Sequence, residues 1–163
     1  RYVHAHAKQH NIDTDRIFLI GQSAGGHMVS LAATLGDGRF PRTGGWEKAS
    51  NDVRAVISVA ANYENNTLSW GNIWAPASGD LVKARAYASP VNHISKTTKP
   101  LLILHSDNDR SVPIANALLM VDALKKADAN FKFHRYPSMG HMGITPEVIE
   151  RSLEFIEQQS TSD

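Results

Sequence analysis

Four apolar segments that alternate with helical segments constrain the fold of this chain more than any other feature. Short runs of β-branched and large apolar residues predict strands, and apolar positions that recur every three or four residues predict helices. The predicted strands are 16–21, 53–61, 100–106 and 131–136, and the predicted helices are 2–10, 25–35, 114–127 and 146–158. Such alternation is typical of an α/β domain with a mostly parallel sheet and helices on both faces. We predict one domain, 1–163.

The composition excludes several classes of function. A formal charge of +1, from 17 Lys+Arg and 16 Asp+Glu, gives no basis for binding nucleic acid or an anionic membrane surface. The absence of cysteine excludes disulfides and thiolate nucleophiles, and no apolar run approaches the ~20 residues of a membrane span. His4, His6 and His10 have a metal-like spacing but fit a solvated helix face, so we predict no metal site. We also predict no cofactor. We expect a soluble protein, cytoplasmic or secreted.

A G-x-S-x-G motif lies where the first predicted strand gives way to a helix. The motif runs from Gly21 to Gly25, with Ser23 at its centre. In this setting a strained strand–turn–helix exposes the serine hydroxyl as a nucleophile. We expect the glycines because side chains at Gly21 and Gly25 would clash with the strand and the helix. The backbone N–H groups at the helix N-terminus are available to an anion.

A serine nucleophile needs a base and an acid, and both follow later strands of this sequence. His141 lies between glycines in the loop after the fourth predicted strand. Asp107 and Asp109 both follow the third predicted strand. The acid accepts a hydrogen bond from the histidine and stabilises the imidazolium. The residue order alone fits either aspartate.

Four segments of the sequence resemble the α/β-hydrolase superfamily, and within it the esterase/lipase group that includes carbohydrate acetyl and feruloyl esterases. They are GQSAGG at 21–26, ASPVNHIS at 88–95, PLLILHSDNDRSVP at 100–113 and SMGHMG at 138–143. The family pattern P-hydrophobic-H-G-x-x-D-x-x-V-P places its acid at Asp109, with Ser106 in place of a glycine. The resemblance implies a catalytic triad of Ser23, Asp109 and His141 and an oxyanion-hole donor at Ala24.

One departure from the family is large, because the full catalytic domain has about eight strands and the nucleophile strand is normally the fifth. The resemblance therefore implies the C-terminal portion of an α/β-hydrolase fold that lacks the N-terminal strands. The His-Gly-Gly loop of the family, which supplies half of the oxyanion hole, does not occur in this sequence. The strand segment 17–20 would then form an open sheet edge. We expect homo-oligomerisation through this edge, or an upstream segment of the same protein that covers it.

The resemblance implies hydrolysis of short-acyl or carbohydrate esters, with a small-molecule ester as the partner. We expect Gln22, Trp70 and Trp74 to bind the substrate, and segment 62–92 either caps the pocket or packs as a long loop on the sheet edge. A peptidase of the prolyl-oligopeptidase type shares the triad order, but such enzymes usually have an aromatic residue after the serine, where this sequence has Ala24. A third alternative is a hydrolase scaffold without catalytic activity that serves in binding or assembly.

Overall fold

A four-stranded parallel sheet lies at the centre of the computed structural model, which describes residues 1–37, 42–68, 75 and 79–161. The strands are β1 (Phe18–Gln22), β2 (Ala55–Val59), β3 (Leu101–Ser106) and β4 (Phe131–Tyr136), and their order in the sheet is β1-β2-β3-β4. All neighbouring pairs are parallel, so the carboxyl ends of the strands share one edge of the sheet. The four predicted strands are confirmed, with ends that differ by at most a few residues.

Six α-helices are described. They are α1 (Tyr2–Ala5), α2 (Ala7–His10), α3 (Ala24–Leu35), α4 (Leu81–Tyr87), α5 (Ile114–Lys126) and α6 (Pro146–Thr161). The predicted helix at 2–10 is divided at His6 into α1 and α2, and it ends at Asn11, whose φ is 54°. None of these helices is long and apolar enough to cross a lipid bilayer.

The hydrophobic core has two layers, one on each face of the sheet. One layer lies between the sheet and helices α3 and α5, and it includes Ala33, Val56, Ile103, Met120 and Leu124. The other layer lies beneath α6 and includes Ile57, Val59, Leu104, Val148 and Phe155. Every residue of β2 and β3 is buried, as expected of parallel strands that are covered on both faces.

The inner face of α6 differs from the prediction. Apolar spacing predicted an inner face of Val148, Ile149, Leu153 and Ile156. The structure buries Val148, Ser152, Phe155 and Gln159, and it leaves Ile149 47% and Leu153 60% exposed. The two buried polar side chains are satisfied, because the Ser152 hydroxyl donates to the Val148 carbonyl and the Gln159 carboxamide accepts from Asn130. Hydrophobicity alone cannot reveal a buried stripe that contains satisfied polar groups.

Segment 62–92 contains more regular structure than the sequence indicated. It includes α4, which was not predicted, and 3-10 turns at Asn65–Thr67 and Pro90–His93. The Asp80 carboxylate caps α4 by accepting from the N–H groups of Val82 and Lys83. Trp70 and Trp74 lie outside the described residues, so the cap over a pocket stays a prediction.

Strand β1 has one partner strand within the described sheet. Ile20, near its end, is 49% exposed. Within the described residues β1 is therefore an edge strand, as expected, although it runs from Phe18 rather than from Ile17. Coverage of this edge by a second copy or by an upstream segment stays a prediction.

Substitution of one residue on each face of α6 tests the observed orientation of this helix. Phe155→Ala removes a fully buried ring and should lower the free energy of unfolding by about 3–5 kcal/mol. Leu153→Ala removes an exposed side chain and should change it by about 0.5 kcal/mol or less. Urea unfolding of the two variants measures both values, and similar losses would contradict the orientation.

Candidate active site

Ser23 occupies a strained turn between β1 and α3. Its φ of 55° and ψ of −119° lie in a region that L-residues rarely adopt. The backbone is held there because the Ser23 N–H donates to the Val59 carbonyl at 2.8 Å and the Ser23 carbonyl accepts from His27 N–H at 3.0 Å. The Ser23 hydroxyl makes no capping hydrogen bond to α3. The turn therefore presents a half-buried hydroxyl that its own helix does not engage.

Two glycines permit the close approach of β1 to α3. A Cβ atom at Gly21 would lie 2.2 Å from the Gly25 carbonyl oxygen, so no larger residue fits there. The prediction for Gly25 is wrong, since a Cβ atom there meets nothing within 4 Å. The second close approach is at Gly26, where a Cβ atom would lie 2.7 Å from the Ala61 Cβ. The contact is made one residue later because Gly25 faces outward on the first turn of α3.

Asp109 and His141 form a hydrogen-bonded pair. The His141 Nδ1–H donates to Asp109 Oδ2 at 2.8 Å, with the Asp109 side chain fully buried and the His141 side chain 27% exposed. The other carboxylate oxygen accepts from the N–H groups of Ser111 at 2.8 Å and Val112 at 2.9 Å. With Nδ1 donating, the lone pair of His141 lies on Nε2, where it can accept a proton.

Asp107, the other aspartate that the residue order allowed, has different partners. Its exposed carboxylate is paired with the Arg135 guanidinium on β4, and this contact raises the pKa of Arg135. Its backbone N–H donates to the Tyr136 carbonyl at 2.8 Å. Asp107 thus braces the end of β3 against β4, whereas Asp109 holds the imidazole.

His105 supports the loop that carries Asp109, a role that the sequence did not indicate. The imidazole is buried at the end of β3, and its Nε2–H donates to the Val112 carbonyl at 2.8 Å. It lies 3.6 Å from Asp109 Oδ2. Burial lowers the pKa of His105, so the ring is neutral at neutral pH. His105 therefore binds the Val112 carbonyl, and Asp109 binds the Val112 N–H.

A buried polar cluster supports the turn from the side of α3. The Ser58 hydroxyl, on β2, is hydrogen-bonded to the Tyr63 hydroxyl at 2.8 Å and donates to the Gly26 carbonyl at 3.2 Å. The His27 Nδ1–H donates to the Asn62 carbonyl at 3.0 Å, and burial lowers the pKa of His27. Burial also raises the pKa of Tyr63, so the phenol stays neutral. The first turn of α3 is thereby tied to β2 and to the loop that follows it.

The remaining predicted site residues are placed as follows. Ala24 is the exposed first residue of α3, directly after Ser23. Gln22 donates its Nε2–H to the Met142 carbonyl at 2.9 Å. Because Gln22 precedes Ser23 and Met142 follows His141, this bond brings the serine turn and the histidine loop together. Trp70 and Trp74 lie outside the described residues. No cluster of His, Asp and Glu suited to a metal ion occurs in the described ranges.

The buried neutral His105 makes stability depend on pH. Below the ordinary histidine pKa of 6.5 the unfolded chain takes up a proton at this residue and the folded chain does not, so stability should fall as the pH falls below that value. His27 contributes in the same direction. His105→Gln keeps a donor for Val112 but cannot titrate. Between pH 7 and 5 the free energy of unfolding of this variant should change less steeply with pH than that of the unsubstituted protein. The two slopes should differ by at most about 1.4 kcal/mol per pH unit. An unchanged slope in urea unfolding would contradict this.

Two curated relatives of this chain are esterases of greater length. The probable carboxylic ester hydrolase LipM of Mycobacterium tuberculosis is 33% identical over 159 residues, a match that covers 85% of this chain and 36% of that protein. Esterase LipQ of the same organism is 28% identical over 127 residues and is matched over 72% of this chain and 30% of its own length. The chain thus spans 30–36% of the length of these relatives.

Solved structures match nearly the whole chain. A truncated form of a carbohydrate esterase from gut microbiota has a TM-score of 0.83 at 24% identity, covering 99% of this chain and 65% of that one. The acetyl ester-xyloside bifunctional hydrolase of Caldicellulosiruptor lactoaceticus has a TM-score of 0.78 at 28% identity. The match covers 98% of this chain and 61% of that one. The predicted α/β-hydrolase fold and the resemblance to its esterases are confirmed. Residues 1–162 match the family model described as the prolyl oligopeptidase family, and the chain belongs to that family.

Proposed function

We propose that the protein is a serine hydrolase that cleaves carboxylic esters, with Ser23 as nucleophile, His141 as general base and Asp109 as the acid that orients the base. One observation supports this most directly. The hydrogen bond from His141 to the buried Asp109 lies beside a strained serine turn, and Gln22 and Met142 join the two. The esterase relatives support the same activity.

The reaction follows from these positions. The Ser23 oxygen attacks the ester carbonyl while His141 Nε2 takes the hydroxyl proton, and Asp109 stabilises the imidazolium that forms. The tetrahedral intermediate collapses, the leaving alkoxide takes the proton from His141, and an acyl-enzyme on Ser23 remains. A water molecule then attacks the acyl group while His141 takes its proton. His141 returns this proton to the Ser23 oxygen as the acyl bond breaks, which releases the carboxylic acid and the free serine.

Charge on the carbonyl oxygen of the intermediate requires hydrogen-bond donors. Ala24 is the exposed first residue of α3, so no earlier residue of the helix accepts from its backbone N–H. Such N–H groups stabilise an oxyanion, and the loss of one oxyanion donor costs a rate factor of about 10²–10³. Ala24 is therefore the proposed donor on this chain, and a second donor from an upstream His-Gly-Gly loop stays a prediction.

The substrate class is proposed as short-acyl or carbohydrate esters. Two of the matched structures are described as a carbohydrate esterase and an acetyl ester-xyloside hydrolase. The exposed Ala24 fits such substrates, because a small residue after the nucleophile leaves room for an acyl or sugar group.

Peptide hydrolysis is the second candidate, since the family model is that of the prolyl oligopeptidases. The acylamino-acid-releasing enzyme of Arabidopsis thaliana is also similar, with 37% identity over 67 residues. The triad order is the same for both activities. We place ester hydrolysis first for two reasons. LipM and LipQ, which are matched over 85% and 72% of this chain, are esterases, whereas the acylamino-acid-releasing enzyme is matched over 41%. In addition, Ala24 stands where an aromatic residue usually follows the serine in these peptidases.

Ser23→Ala tests the nucleophile. Hydrolysis of p-nitrophenyl acetate should fall by about 10⁴-fold or more, because the covalent step loses its attacking oxygen. The fold should persist, since the hydroxyl makes no capping hydrogen bond. A p-nitroanilide aminopeptidase substrate, assayed beside the ester, distinguishes the two candidate activities. Retained ester turnover in the purified variant would refute the assignment of Ser23.

Matched substitutions of the two aspartates test the acid. Asp109→Asn should slow ester hydrolysis by up to about 10⁴-fold, because an amide cannot stabilise the imidazolium and favours the wrong tautomer. Asp107→Asn breaks an exposed ion pair with Arg135, which contributes about 0–1 kcal/mol to stability, and it should leave the rate within about twofold. Steady-state kinetics of both variants are the measurement. A slower Asp107 variant would reverse the assignment.

A further inference from the structure

We propose that Gln22 is a positioning residue, which sets the place of His141 relative to Ser23, and that it does not bind the substrate. The proposal rests on the proposed function of Ser23 and His141. It replaces the expectation from the sequence that Gln22 contacts the substrate. The observation behind it is the hydrogen bond from the Gln22 side chain to the carbonyl of Met142, a residue 120 positions later in the chain.

The histidine loop has to cross the sheet to reach the serine. Strand β4, which precedes this loop, and β1, which precedes Ser23, are the two outer strands in the order β1-β2-β3-β4. Three strand spacings of ~4.8 Å separate them by about 14 Å. The loop therefore passes over the ends of β2 and β3, and its far end at His141 and Met142 lies well away from the strand that carries it.

Three hydrogen bonds fix the histidine loop to the end of β3 and to the loop that follows it. The Met139 N–H donates to the Ser106 hydroxyl and the Gly140 N–H donates to the Asn108 carboxamide, both at 2.7 Å. The third is the bond from His141 to Asp109, at 2.8 Å. These bonds set the imidazole relative to the acid. They do not set it relative to β1 and Ser23.

Gln22 supplies a connection to the nucleophile. It is the last residue of β1, where it pairs in register with Val59 of β2, so its backbone is fixed by the sheet. Its Nε2–H donates to the Met142 carbonyl at 2.9 Å. The Met142 side chain is only 1% exposed and is anchored in the core beneath α6. Both ends of the connection are therefore rigid, and each is one residue away from a reacting side chain.

This geometry predicts an effect on turnover rather than on substrate binding. A base must lie within about 3 Å of the proton that it removes. A displacement of ~1 Å can cost a rate factor of about 10². The Gln22 carboxamide is directed at the protein backbone, so its removal should alter the position of His141 more than the affinity for an ester.

The experiment compares Gln22→Leu with Gln159→Leu as a matched control. Gln159 is a buried glutamine whose carboxamide accepts from Asn130 at 3.3 Å, next to the amino end of β4 and far from the site. Both changes remove one hydrogen bond that joins distant segments. With p-nitrophenyl acetate, Gln22→Leu should lower kcat by about 10- to 100-fold with KM within about twofold. Gln159→Leu should leave both constants near those of the unsubstituted chain.

Gln22→Glu provides a readout that a purely structural role would not move. A carboxylate cannot donate to the Met142 carbonyl, whereas the protonated carboxyl group can. The ratio of kcat for Gln22→Glu to kcat for Gln22→Leu should therefore rise as the pH falls from 7 toward the ordinary glutamate pKa of about 4.3. Dividing by kcat for Gln22→Leu removes the pH dependence that the two variants share.

Several outcomes would overturn the proposal. A raised KM with an unchanged kcat in Gln22→Leu would show substrate contact, and equal losses in Gln22→Leu and Gln159→Leu would show a structural role. A crystal structure of Gln22→Leu provides a test that does not depend on activity, since the histidine loop should be displaced relative to β1. An undisplaced loop would refute the positioning role. Absence of ester turnover in the unsubstituted protein, with the loop displaced in the variant, would refute the proposed function alone.

Discussion

The common direction of the four strands is the constraint on which the site depends. Because neighbouring strands are parallel, the segments that follow β1, β2, β3 and β4 leave the same edge of the sheet. Those segments carry Ser23, Asn62, Asp109 and His141, respectively. An antiparallel pairing of any strand would send its loop to the opposite edge. The continuous apolar character of β2 and β3 therefore has a functional consequence, since it requires cover on both faces and so favours parallel strands.

Two of the described residues with a positive φ lie where strands end. Ser23 has a φ of 55° and Ala60, just after β2, has a φ of 48°. Such conformations cost about 1–3 kcal/mol each for residues other than glycine and persist only where the surroundings hold them. Here the Ser23 N–H donates to the Val59 carbonyl, and the Ala60 N–H donates to the Leu104 carbonyl at 2.9 Å. The sheet continues its hydrogen bonding past the strand ends and thereby holds the two turns in place.

The sequence predicted the strands well because their signal is local. Strand β4 was predicted with its observed ends, since alternation of Phe131 and Phe133 with polar residues is a property of neighbouring positions. Features that depend on distant partners were missed. The stripe of α6 includes Gln159, which is buried because Asn130 satisfies it, and the close contact of α3 lies at Gly26 because Ala61 lies opposite. Helix α4 had a local signal in Asp80, a good N-cap, but the short helix has no buried residue to mark it.

The two histidines near Asp109 show how burial separates their roles. His105 lies 3.6 Å from Asp109 Oδ2, and His141 lies 2.8 Å from the same oxygen. The His105 Nε2–H is engaged by the Val112 carbonyl, so Asp109 Oδ2 is left to accept from His141. Burial also keeps His105 neutral, so it does not offset the charge of the carboxylate. Asp109 Oδ2 thus accepts its hydrogen bond from the partly exposed His141 rather than from the buried His105.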